Sequence, residues 1–266
     1  MTTTATRAPR LADWALSHGR SAFSTSDLAG ILGVPPAQVS ERLSAPLARH
    51  EWCTPARGLW VPVPPEYRAW GAPPGIEIVE ALTQHLAVPY YVGWLSAAQQ
   101  QGVAQQSPQL LQIAVSRQVR DRQVGRTRFA FRLRADVDQV PVRLAETRSG
   151  SVRVSSPEAT ALDIARDVRF AWGIDNVATV LVEMDEADIL DHAGLADLAR
   201  HYPASAVRRL GWVLEVLGRS DHLDELRAVA TAGPPTPSRL DPSRSLVGSV
   251  DDRWLVRVNS VVEADL

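Results

Sequence analysis

Five side chains in the first quarter of the chain have the chemistry to read DNA: Gln38, Ser40, Glu41 and Arg42 in "PAQVSERL", and Arg57 in "PARGLW". A guanidinium matches the paired acceptors of a guanine edge or a phosphate, and a glutamine amide matches adenine. Further on, Arg117, Arg120, Arg122, Arg126, Arg128, Arg132 and Arg134 fall within 18 residues and are offset only by Asp121. In "RTRFAFRLR" a period of two puts Thr127, Phe129, Phe131 and Leu133 on one face of a strand, and Arg126, Arg128, Arg132 and Arg134 on the other, with Ala130 between them. Three roles fit such a stripe: the solvated side of a half-buried sheet, a dock for acidic helices after Ser155 within the chain or in a dimer, or a nucleic-acid or partner surface.

Catalytic and metal-binding patterns are missing. There is no Gly-rich phosphate loop, dinucleotide fingerprint, His-Glu-x-x-His or paired-Cys motif. The pairs Asp191-His192 and Asp221-His222 suggest acid-base work, but consecutive helical residues point apart, and both aspartates occupy helix-cap positions. "GWLS" at 93–96 lacks the flanking glycines of a nucleophile elbow. The sequence therefore predicts no catalytic residue, no metal ligand, no cofactor and no enzyme.

Local signals specify the elements that would present the first five residues. In "FSTSDLAGILGVPPAQVSERL" Ser24 and Asp27 make a capping box, with Phe23 and Leu28 as its hydrophobic staple. Gly33 should stop that helix, and Pro35 and Pro36 should open a second one burying Val39, Leu43 and Leu47. "RLADWALSH" supplies a preceding helix with Leu11, Trp14 and Ala15 inward, while Glu51–Cys53 and Leu59–Val61 form a hairpin whose tip is Arg57 and Gly58. A helix-turn-helix followed by a hairpin is a winged helix, in which the second helix enters the major groove and the wing touches the backbone. The same face would also suit a protein contact. Seven arginines against five acids up to Arg68 make this head only weakly basic.

Two Pro-rich stretches, 61–75 and 232–243, interrupt the pattern. The expected organisation is a winged helix-turn-helix domain over 1–61, a linker over 62–75, and an α+β domain over 76–266 with helices at 76–87, 155–167 and 203–217. Its strands are expected near 110–115, 126–134 and 151–155. Ser155 lies three residues before Glu158 in a second capping-box pattern, and "DDRWLVRVNS" should return to pair with a sheet in the body.

Charge divides unevenly: residues 1–155 carry net +6 and residues 156–266 net −8 in a 266-residue chain without lysine. The only cysteine is Cys53, and no run approaches the roughly 18 apolar residues of a membrane span, so a cytoplasmic protein without membrane contact is expected.

In chain order, the head, "RGLWVPVP", "YYVGWLSAAQQQGVAQQSP", "VRVSSPEATALDIA" and "AVRRLGWVLEVLG" resemble AbiEi-type antitoxins of type IV toxin-antitoxin systems, from about Leu11 to about Leu226. The resemblance implies an autorepressor that binds double-stranded DNA at repeats in its own promoter. It also implies an antitoxin that counteracts a nucleotidyltransferase toxin encoded beside it, without a tight complex. The alternative is a DNA-directed hydrolase with a nuclease-like body; against it, Glu158 and Asp163 lack strand-borne Asp and Glu-x-Lys partners.

Overall fold

The computed structural model describes residues 10–104, 109–219 and 222–264; Asp221 lies outside them. The architecture is mixed α+β. Two compact units are present: the described residues of 1–91, 107–139 and 144–153, and those of 92–106, 140–143 and 154–266.

The first unit begins with α1 (Leu11–Ser17), β1 (Phe23–Ser24), α2 (Thr25–Leu32), a 3-10 turn at Pro36–Gln38, α3 (Val39–Arg42), α4 (Ser44–Ala48), β2 (Trp52–Ala56) and β3 (Leu59–Pro62). Strands β1, β3 and β2 form a small sheet in that order. Leu11, Ala15, Phe23, Leu28, Val39, Leu43, Trp52 and Trp60 make one core, with Trp14 and Leu47 half-buried at its edge. Every apolar position expected to face inward in this segment does so.

The second helix of the turn is the exception to the expected layout. Instead of one helix through Leu47, the chain breaks at Leu43 and restarts at Ser44. Pro46 accounts for the break, because it has no N–H for the Arg42 carbonyl and its ring crowds that group; it is tolerated only in the first turn of a new helix.

The Pro-rich stretch at 62–75 contains regular structure. Pro65–Trp70 is a 3-10 helix closed by Gly71 at φ +77°, and α5 follows over Gly75–His85. Gly75 lies against Thr127, where a Cβ would sit 2.5 Å from the threonine methyl, so only glycine brings α5 this close to the strand beneath.

Strands β4 (Tyr90–Val92), β5 (Leu110–Val115), β6 (Arg122–Val124), β7 (Thr127–Leu133), β8 (Val142–Thr147) and β9 (Gly150–Ser155) form a sheet in the order β6-β7-β5-β4-β9-β8. Strands β5, β7 and β9 match the expected positions. Strand β5 runs parallel to β7 from Leu110↔Arg128 to Val115↔Leu133.

In the second unit, α6 (Trp94–Gln100) is joined by α7 (Pro157–Arg166), α8 (Ile174–Glu186), α9 (His192–Ala199), α10 (Ala204–Val216) and α11 (Asp224–Thr231). The N-cap of α7 is Ser156, which accepts from the Ala159 N–H at 3.3 Å, rather than Ser155. With Pro157 fixed at the first helical position the cap must be the residue just before it. Ser155 is buried one step earlier and shares a 2.7 Å hydrogen bond with Thr160.

Helix α10 fastens the end of the chain. Arg208 donates to the carbonyls of Ala230 (2.9 Å), Pro234 (2.7 Å) and Thr236 (2.6 Å), and Arg209 to those of Arg239 (2.7 Å) and Ala165 (2.8 Å). The tail forms its own sheet, in which β12 (Val256–Val258) lies between β10 (Ser238–Arg239) and β11 (Ser249–Asp251), separate from the six-stranded one. Trp254 precedes β12, is 1% exposed, and packs over Gly211. Among the described residues no helix is long and apolar enough to cross a membrane.

Since a Cβ at Gly211 would overlap the Trp254 ring, Gly211→Ala should destabilise the protein by about 2 kcal/mol or more through overpacking. Urea unfolding followed by tryptophan fluorescence reads this as a lower midpoint at unchanged slope.

Candidate nucleic-acid interface

The element that presents Gln38, Ser40, Glu41 and Arg42 is held from both ends. At the start of α2 the Asp27 N–H donates to Ser24 Oγ at 3.1 Å and the Ser24 N–H donates to Asp27 Oδ2 at 2.8 Å, a complete capping box. These bonds to the carboxylate, the backbone one foremost, hold the Asp27 carboxyl below its ordinary value. At the other end Gly33 takes φ +65°, and the Val34 N–H returns to the Ala29 carbonyl at 3.1 Å. The chain then enters the 3-10 turn and α3, where Val39 and Leu43 are fully buried and pin the helix to the core.

Gln38, Ser40, Glu41 and Arg42 are all exposed, and among the described residues none of their side chains makes a hydrogen bond or ion pair. They form a polar face on a short rigid element, with donors and acceptors available to a ligand. Arg57 is also exposed, at the tip of the two-residue turn between β2 and β3. Its backbone is fixed: the Thr25 N–H donates to the Gly58 carbonyl at 3.0 Å, Trp60 Nε1 to Thr25 Oγ1 at 3.0 Å, and His85 Nε2 lies 3.0 Å from the Arg57 carbonyl. Two other cations of this segment are ion-paired, Arg49 with Glu51 and Arg68 with Asp13, each at 2.8 Å.

The arginine stripe is less uniform than strand alternation implies. Thr127, Phe129 and Phe131 point inward, and Arg126, Arg128 and Arg132 are exposed, as expected. The pattern then inverts, with Leu133 58% exposed and Arg134 4% exposed. Arg134 bonds to Asp136 at 3.0 Å and to the Tyr91 hydroxyl at 2.9 Å, so it is an internal group and not part of an outer face. Arg117 donates to the Leu86 carbonyl, and the half-buried Arg122 to the Pro55 carbonyl at 3.2 Å. Arg126 stacks over Trp70 at 5.4 Å, Arg128 pairs with Asp121 at 3.1 Å, and Arg120 is exposed. Asp121 and Asp136, both local to the strand, thus meet Arg128 and Arg134.

The acid candidates of the second unit are engaged structurally. Asp163 is fully buried and accepts from the Tyr202 hydroxyl at 3.0 Å; Glu158 accepts from the Asp191 N–H at 3.1 Å. Asp191 caps α9 through the Ala193 N–H at 3.1 Å. Among the described residues no group of three or more His, Cys, Asp or Glu is placed to hold a metal ion. In "GWLS" Trp94, the first residue of α6, adopts φ +50°, donates from Nε1 to Asp167 Oδ2 at 3.2 Å and meets Phe170 edge-on. Cys53 is buried, and burial alone pushes its thiol up to about 12, far from a reactive thiolate.

Two measurements check this geometry. Arg134→Ala should cost about 2 kcal/mol by removing the buried bonds to the Tyr91 hydroxyl and Asp136 and opening a cavity, whereas Arg128→Ala, whose ion pair is solvated, should cost under about 1 kcal/mol in urea titrations. Ser24→Ala should cost about 1 kcal/mol at neutral pH. Because the Asp27 carboxyl is depressed in the folded state, the cap's contribution is full above the ordinary carboxylate range and fades as pH falls through the lowered folded value. Ser24→Ala keeps the backbone N–H bond to Asp27 and loses the 2.8 Å bond from its hydroxyl, so the gap between wild type and variant should narrow on acidification by that hydroxyl's share alone.

Residues 91–216 match the AbiEi antitoxin C-terminal domain family, a span holding the "GWLSA", "SSPEATALD" and "RRLGWVLE" blocks. No curated protein matches the chain. Among solved structures it is similar to the crystal structure of the RV2827C protein from Mycobacterium tuberculosis, at a TM-score of 0.65 and 17% identity over 96% of this chain and 93% of that one, a likeness of fold alone. The likeness to the AbiEi antitoxin C-terminal domain is thus carried by residues 91–216.

Proposed function

We propose that the protein is a transcriptional autorepressor and antitoxin. Residues 1–61 act as a winged helix-turn-helix that reads repeats in the double-stranded DNA of its own promoter. Residues 62–75 connect this function to residues 76–266, which counteract a nucleotidyltransferase toxin encoded in the same operon, without a stable complex and within the cytoplasm. The observation that carries the DNA reading is the unpartnered polar face of α3, Gln38, Ser40, Glu41 and Arg42, on a helix that the Ser24–Asp27 box and Gly33 orient. In this reading Arg57 is the wing contact. In this role Arg42 and Gln38 contact base edges, and Ser40 and Arg57 hold phosphates.

The exposed Arg120, Arg126, Arg128 and Arg132 supply further phosphate or partner contacts, while Arg134, and Arg117 and Arg122 with their backbone acceptors, serve the fold. Binding without turnover is favoured over hydrolysis by the positions of Asp163 and Glu158, whose carboxylates are taken up by Tyr202 and the Asp191 backbone.

The test is a fluorescence anisotropy titration of the full chain against its own upstream duplex and a scrambled duplex at several salt concentrations. Preference for its own duplex is expected. Arg42→Ala should cost about 1–3 kcal/mol on that duplex and much less on the scrambled one. Equal affinity of the wild type for both duplexes would remove the repressor role.

A further inference from the structure

A cleft of about 200 Å³ opens in the first unit, lined by Leu16, Gly19, Arg20, Ser21, the Pro-rich stretch and the turn between β8 and β9. Its walls are apolar, from Leu16, Val61, Pro62, Pro64 and Pro73. Three charged side chains line it, Glu77, Arg20 and Arg148. Glu77, in the first turn of α5, is half-buried, and among the described residues its carboxylate has no hydrogen bond or ion pair. Arg20 lies with its guanidinium 4.1 Å over the Phe23 ring and likewise has no ion pair among the described residues. The third charge, Arg148, is occupied by Glu66 at 2.7 Å, and Ser149 donates to the Glu77 backbone carbonyl at 2.7 Å.

Glu77 feels the charge of Arg148, and Arg20 acts on Asp27, yet burial outweighs the pull of Arg148 on Glu77, and neither side chain has a hydrogen-bonded partner of opposite charge among the described residues, which leaves both able to take one from a ligand. The volume is below the roughly 300–1,000 Å³ of pockets for drug-sized ligands, which leaves room for a molecule of amino-acid size. We propose that this cleft binds a small aliphatic zwitterion of the α-amino-acid class, its ammonium on Glu77, its carboxylate on Arg20 and its side chain against Leu16, Val61 and the prolines. The charges of such a ligand complement those of the site, and its apolar part gains from the walls what a bare ion would not. Burial raises the Glu77 carboxyl, a strain that a bound ammonium relieves by favouring the carboxylate. The site lies apart from Gln38, Ser40, Glu41, Arg42 and Arg57, so it does not depend on the DNA reading.

Isothermal titration calorimetry of the full chain with L-valine, L-leucine and L-proline tests this, with N-acetyl-L-valine and L-valine methyl ester as probes lacking one charge each. At least one free amino acid should bind, and blocking either charge of valine should weaken its binding about tenfold or more, the scale of one charge-assisted hydrogen bond. Glu77→Gln should abolish the response while its unliganded thermal unfolding stays close to wild type; Arg148→Ala, which leaves both proposed contacts in place, should retain it. Absence of binding by all three amino acids, equal binding of the blocked valines, or an unchanged Glu77→Gln response would each overturn the assignment.

Discussion

A buried guanidinium carries five N–H donors and cannot shed its charge, so wherever this chain buries an arginine it must bring carbonyls or a carboxylate to meet it. That requirement organises both units. In the second, Arg208 and Arg209 gather five carbonyls from Ala165, Ala230, Pro234, Thr236 and Arg239. The Pro-rich segment after α11 cannot build a ladder of its own, because proline has no donor; its carbonyls are left for the arginines. Burial lowers the Arg209 guanidinium to about 10, still well above neutral pH, so the clamp stays charged. The first unit repeats the device with Arg122 on Pro55 and Arg153 on Tyr90, each at 3.2 Å.

The same constraint explains which part of the fold could be read from the sequence. Signals confined to a few residues translated directly: the Ser24–Asp27 box, the Gly33 stop, the inward set around Val39 and Leu43, and the strands at 110–115 and 127–133. Misreadings arose where one local rule competed with another. Pro46 breaks a helix whose apolar spacing runs on past it, and Pro157 moves the cap of α7 from Ser155 to Ser156. The tail was legible as a strand but not in its partner, since what holds it is Trp254 over Gly211 and the arginines of α10, contacts more than twenty residues apart in sequence. Strands β4, β6 and β8 are short, and their pairing comes from the sheet rather than from their own pattern.

The candidate site was legible to the degree that it is helical. A four-residue helix with Val39 and Leu43 buried leaves Ser40, Glu41 and Arg42 no direction but outward. The arginine stripe was legible only in its middle. Alternation presumes that one face of the strand meets water throughout, but Tyr91 and Asp136 wait at the end of β7 and draw Arg134 inside, turning Leu133 out. The cleft with Arg20 and Glu77 left no sequence signal, because residues 16–21, 61–77 and 148–149 meet only in the folded unit.

Spending arginines on the interior has a consequence for recognition. Of the stripe's seven cations, Arg117, Arg122 and Arg134 already satisfy backbone or buried acceptors, and in the head Arg49 and Arg68 face Glu51 and Asp13. Under the proposed DNA-reading role, so many committed cations would make counterion release a small contribution and non-specific affinity low. Discrimination must then come from the directed groups on α3, where a mismatched base leaves a donor or acceptor unpaired. Weak charge is in that case an advantage: a repressor that adheres poorly to random duplex is less diluted among competing sites, and its selectivity rests on the ratio of affinities rather than on their absolute strength.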